Sequence, residues 1–264
     1  MLCLNSRFLA PMNVQTLFED ELLKRDMLFS IDEESGRYSV MVGGGRLLVS
    51  LENLQRDIAN DGDTGRVSRF VDSIVASSSI PESPLSADQL YWCLEPNNYV
   101  EKAEFRVMLS DLVDRVLVRL SSDGRLITWV TTDMLHSLKL SESDAGALAF
   151  TNLAHALREA TVEFKEIDGV RLGFIATSLP FKASLILAQN LREVVGTALG
   201  WPLMAVVPDR NFLYVWAARH TDFVKRVGRV VVREYSQASY PISTEVYEVT
   251  DQGVRAIGEF PHET

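Results

Sequence analysis

Cysteine is scarce. The 264 residues hold two, Cys3 and Cys93, and no Cys-x-x-Cys spacing. That excludes a disulfide framework and a cysteine-built metal site, and leaves Cys93 as a buried apolar thiol of a reducing compartment. A basic excess is lacking too: 26 Lys and Arg against 36 Asp and Glu give a net charge of -10. Nucleic acid and anionic membrane surfaces are therefore poor partners. No apolar run reaches the roughly 20 residues that span a bilayer. The N-terminal run MLCLNSRFLAPM lacks a basic region followed by a continuous apolar one, so a leader peptide is not expected and the expectation is a cytoplasmic protein.

Catalytic signatures are missing as well. The four histidines (His136, His155, His220, His262) form neither HExxH nor HxH, and there is no GxSxG elbow. Gly43-Gly44-Gly45 joins two apparent strands without the Lys-Ser/Thr pair of a phosphate loop, so it reads as a turn. Asp61-Gly62-Asp63 lacks the further ligands and closing Glu of a calcium loop, so it reads as a helix break. No catalytic residue, metal site or cofactor is expected, and the balance leans against an enzyme.

What is present is an ordinary globular composition, 47% hydrophobic and 23% charged. Asn13 caps a first helix. Strands follow at 28–32, 38–42 and 46–50, then a helix over 51–76 interrupted at the Asp-Gly-Asp triplet. The stretch 77–87, SSSIPESPLSA, reads as a Ser/Pro linker. It separates a helix–meander–helix part, 1–80, from a larger part, 81–264.

In the larger part, strands at 90–95, 113–121 and 126–130 precede a short helix capped by Thr132 and a longer one opened by Ser141, with Asp144 three residues on. A hairpin over 161–177 turns at Asp168-Gly169. A long amphipathic helix is expected over 180–199, then two strands around Pro208-Asp209-Arg210-Asn211. A helix from Thr221 to about 236 and a hairpin over 243–260 close the chain. Strands joined by two-to-four-residue turns must be antiparallel. The expected class is α+β, antiparallel sheets built from hairpins with helices packed on one face.

Two sets of residues invite a functional reading. Ser184, near the start of the 180–199 helix, and Arg210, in a turn shaped by Asp209 and Asn211, together suggest a small-anion or enzyme pocket; the plainer readings are a packing serine and a solvated turn. Arg226, Arg229 and Arg233 recur on one helix face, a cationic stripe suited to an acidic partner or simply solvated.

The segment 181–187, FKASLIL, and the segment 205–213, AVVPDRNFL, resemble the YtpQ-like bacterial family of unknown function. Upstream, 132–135 and 140–142 look like that family's lead into a long helix. The resemblance covers about 126–218. Ala183, Ser184, Pro208 and Arg210 match the family pattern, whereas Lys182 and Asn211 stand where it carries acidic residues. It implies a grouping and no activity.

The leading expectation is a non-catalytic protein-binding, adaptor or chaperone-like module with a protein partner, compatible with a homodimer. The helix–meander–helix plan is like the scaffold of secretion chaperones, an analogy of fold only. The alternatives are the Ser184–Arg210 pocket and an acidic immunity-type inhibitor.

Overall fold

The computed structural model describes residues 13–31, 36–42, 45–79, 85–100, 103–122, 124 and 126–261. The chain divides into two compact units, Met1–Pro81 and Glu82–Thr264.

The first unit opens with α1 (Val14–Lys24). The Asn13 side chain accepts from the Gln15 N–H at 3.0 Å, satisfying one of the donors that a helix start leaves open. The meander is β1 (Phe29–Ile31), β2 (Tyr38–Val42) and β3 (Gly45–Val49), antiparallel in that order. The turn at 32–35 and the glycines 43–44 lie outside the described residues. α2 (Glu52–Asp61) and α3 (Gly65–Ser79) are divided where Gly62 takes φ 73°. Asp63 accepts from the Gly65 N–H at 3.0 Å and pairs with Arg69, and Asp61 pairs with Arg66. The triplet is therefore a helix boundary whose carboxylates serve α3. Phe18, Leu22, Val40 and Val71 are fully buried beside Tyr38. α3 runs through Ser79, so Ser77–Ser79 is helix rather than linker; 80–84 lies outside the described residues.

The second unit holds two antiparallel sheets. β4 (Leu90–Pro96), β5 (Arg106–Met108), β6 (Val113–Leu120) and β7 (Ile127–Trp129) form the smaller, with β6 central. Pro96 belongs to β4, opposite Val113, rather than terminating it. α4 (Thr132–Leu138) is capped by Thr131, one residue before the expected Thr132, whose own hydroxyl donates to Glu104 instead. Ser141 caps α5 (Glu142–Glu159) through the Asp144 N–H at 3.1 Å. α5 lies on β4: Trp92 Nε1 donates to the Gly146 carbonyl at 2.9 Å. A Cβ on Gly146 would sit 3.1 Å from the Trp92 ring, so only glycine allows this approach without displacement.

The larger sheet has β8 (Thr161–Ile167), β9 (Val170–Ala176), β10 (Leu203–Val206), β11 (Tyr214–Ala217), β12 (Glu245–Thr250) and β13 (Gly253–Glu259). Its order is β13-β12-β10-β11-β9-β8. The α+β class is thus the observed one, with hairpin-built antiparallel sheets. Strand alternation then sorts the core. Met204, Val206 and Trp216 meet Phe223, Val227 and Val231 of α7 (Thr221–Gln237) on one face. Leu203, Ala205 and Val215 join α5, α6 (Leu191–Leu199) and the smaller sheet on the other. Helices therefore occupy both faces of this sheet.

The expected helix over 180–199 is two pieces. A 3-10 helix, Lys182–Leu187, is followed by α6. Ala183 through Leu187 are all buried, so this run has no solvent face and packs as a plug rather than as a surface helix.

Candidate functional site

The residues singled out by sequence meet at the far end of β4. Ser184 is fully buried. Among the described residues β4 pairs only with β6, so its other edge leaves backbone donors without a strand partner. The Ser184 hydroxyl closes that edge by accepting from the Leu94 N–H at 2.9 Å. Because Lys182–Leu187 is a short 3-10 run rather than the start of an α-helix, Ser184 does not stand at a helix terminus ready for an anion. Replacing Ser184 by alanine strips a buried N–H of its acceptor, and a loss of about 1–3 kcal/mol is expected in urea unfolding. A loss below about 0.5 kcal/mol would remove this role.

Arg210 lies beside it. The Ala183 N–H donates to the Arg210 carbonyl at 2.9 Å, and Arg210 N–H donates to the Tyr240 carbonyl at 2.9 Å. Asp209 accepts from the Asn211 N–H at 2.7 Å and from the Tyr240 N–H at 3.3 Å. Asp209 and Asn211 thus shape the loop and pin it to the chain at Tyr240. The guanidinium of Arg210 stacks 4.3 Å from the Tyr240 ring centroid and donates to Glu95 Oε1 at 2.6 Å. Both side chains of this pair are buried, 13% and 5% exposed. Cys93 Sγ is 3.5 Å from the same Glu95 oxygen.

Electrostatics follow from that burial. Desolvation raises the Glu95 carboxyl above its ordinary range, with Arg210 pulling the other way. Desolvation likewise pushes the Cys93 thiol well up, reinforced by Glu95, so the thiolate needed for nucleophilic chemistry is disfavoured. Sequence reading brought Ser184, Asp209, Arg210 and Asn211 into view and expected Cys93 to be buried, as it is, but missed Glu95 and Tyr240. Together they form a polar knot in which the Ser184 hydroxyl and Arg210 Nη2 have partners, while the buried Arg210 Nε has none.

The cationic stripe is elsewhere. α7 covers the opposite face of the larger sheet from the Ala183 and Leu185 side. Arg226 donates to the Asp168 carbonyl at 3.0 Å, Arg233 pairs with Glu234 at 2.8 Å, and Arg229 is exposed. Acidic neighbours thus offset part of the stripe's charge.

The first unit carries an open feature. A hollow of about 530 Å³ is lined by Arg25, Met27, Met41, Val42, Asp72, Val75 and Ala76. Val40 is buried, whereas Met41 is 45% exposed and, with Val42, lines the hollow. Arg25 Nη2 donates to Asp72 Oδ1 at 2.7 Å, placing a charged pair at the rim. Leu23, Leu28 and Ile31 are also exposed in this unit. Sequence reading placed a strand at 38–42 but did not single out Met41.

Among the described residues no group of His, Cys, Asp or Glu is arranged to hold a metal ion, and no helix is long and apolar enough to cross a membrane. No protein-family model, no curated protein and no solved structure matches this chain.

Proposed function

We propose that this chain is a non-catalytic protein-binding module, adaptor or chaperone-like, whose first unit holds an apolar segment of a partner protein. The observation that carries the reading is the methionine-lined hollow with its Arg25–Asp72 rim. Methionine side chains are flexible and polarizable, so a surface built on them adapts to varied apolar partners. A charged rim around an apolar floor is the usual anatomy of a binding patch. The knot at Ser184 and Arg210 supports the same view, because the Ser184 hydroxyl and Arg210 Nη2 are already engaged and burial pushes the Cys93 thiol up.

The test uses a permanently unfolded probe, reduced and carboxymethylated lactalbumin, titrated into the full chain. Saturable binding is expected, weakened about tenfold or more by Met41→Glu, which places a charge on the apolar floor. Because Met41 is exposed, its thermal midpoint should shift by only a few degrees. Ile257→Glu, an exposed position of the second unit, should bind as the parent does. Absence of binding, or equal weakening by both variants, would remove the proposal.

A further inference from the structure

The larger sheet ends in two edge strands that differ. At one end, β13 is bent by a bulge where its register against β12 shifts between Val246 and Tyr247. A bulge turns an edge away from further pairing. At the other end, β8 keeps one register against β9 along all seven of its residues, and among the described residues it has no second strand partner. The hairpin fixes which groups this edge offers. Asp168-Gly169 is a two-residue turn with both φ positive, and Ile167 stands opposite Val170. The residues that close such a turn exchange both backbone bonds, and bonded and non-bonded positions then alternate along the pair. Thr161, Glu163, Lys165 and Ile167 therefore bond to β9. Val162, Phe164 and Glu166 turn their N–H and C=O groups outward.

Two copies related by a twofold axis can join these edges only antiparallel, and outward-turned residues must then meet outward-turned residues. Few registers satisfy that, and charge separates them. Centred on Phe164, the pairing sets Phe164 against Phe164, Val162 against Glu166, and Glu163 against Lys165, the last twice by symmetry. Moving the axis one residue either way sets Glu163 against Glu163 or Lys165 against Lys165. Glu163 and Lys165 share one side of the strand, and their side chains are 61% and 62% exposed. In the Phe164-centred register they fall at the non-bonded positions, where opposed side chains stand closest. Charges on an edge ordinarily deter pairing. Here they deter the two neighbouring registers and favour the one between them.

We infer that β8 is a self-association surface: two copies of this chain join β8 to β8, antiparallel and centred on Phe164, and so continue the larger sheet across a twofold axis. The occupant is a second copy because the charge order Glu163-Phe164-Lys165 is complementary to itself when reversed. The pairing also sets Ile167, 41% exposed, against Thr161 of the second copy. This edge lies in the second unit and does not depend on the function proposed for the first.

The experiment is sedimentation velocity of the full chain from about 1 to 100 µM in about 0.15 M salt, where a dimer should assemble in the micromolar range. Glu163→Lys and Lys165→Glu each place like charges opposite one another twice per dimer, and each should weaken association about tenfold or more. Both positions are exposed, so the circular dichroism spectrum should not change. Mixed in equal amounts, the two variants oppose a wholly basic pair of positions to a wholly acidic one, so a heterodimer should form at least as tightly as the parent dimer. A parent that stays monomeric through about 100 µM would overturn the inference and leave the edge to an extended segment of another protein. So would a dimer indifferent to both variants, which would lie on another surface. So would a mixture that fails to recover association, because the register would then be wrong.

Discussion

Arg210→Met should lower the folding free energy by about 3–5 kcal/mol, and Glu95→Leu by a similar amount, while the double variant regains most of the loss. The pair is buried, at 13% and 5% side-chain exposure, with 2.6 Å between Arg210 Nη2 and Glu95 Oε1. Removing one member strands the other's charge in a poorly solvated place. Removing both leaves two apolar side chains where β4, the 208–211 loop and the 3-10 plug converge. Additive losses in the double variant would mean that the two groups act independently, against the geometry.

The Arg210→Met loss should also depend on pH. Burial raises the Glu95 carboxyl above its ordinary value of 4.5, and the guanidinium is what restrains that rise. A carboxyl whose native pKa is raised contributes stability that is complete below its unfolded pKa and lost as pH climbs through the native one. Without Arg210 the native value climbs further. The penalty should therefore be smallest near pH 4, where Glu95 is neutral folded or unfolded, and grow toward neutrality. Urea unfolding of both proteins between pH 4 and 8 measures it; a penalty that shrinks as pH rises would refute the assignment.

The parts legible in the sequence were those set by neighbours in the chain. Asn13 and Ser141 cap helices because their side chains reach amides two or three residues away. Asp168-Gly169 turns a hairpin because both residues accept positive φ, 51° and 75°. Arg210 was visible as a turn residue, but its acidic partner lies 115 positions away, and nothing local in Leu90–Pro96 announces that Glu95 is buried. The 180–199 helix misled for a related reason. Its apolar spacing was real, but Ala183 through Leu187 are buried all round, which a helical stripe does not produce. The Ser184 role needed the knowledge that β4 has a free edge, a property of strand order rather than of any local motif.

Glu245 is another buried acid that sequence reading passed over, and Glu245→Leu should cost about 3 kcal/mol. Its Oε2 accepts from Ser110 Oγ at 2.7 Å, Ser243 Oγ at 2.9 Å and Tyr247 OH at 2.7 Å. Leucine fills the volume but leaves three hydroxyls without that acceptor, two of which, on Ser243 and Tyr247, belong to buried residues. Glu245→Gln keeps an acceptor oxygen and should cost less, which separates the loss of hydrogen bonds from the loss of charge. The Ser110 contact spans 135 positions and ties the turn between β5 and β6 to the larger sheet. Ser110 Oγ in turn accepts from the Val113 N–H at 3.0 Å. With leucine at 245, amide exchange at Val113 should therefore accelerate along with the global loss. If stability falls without any extra exchange there, Glu245 stabilises its own strand alone and does not join the two sheets.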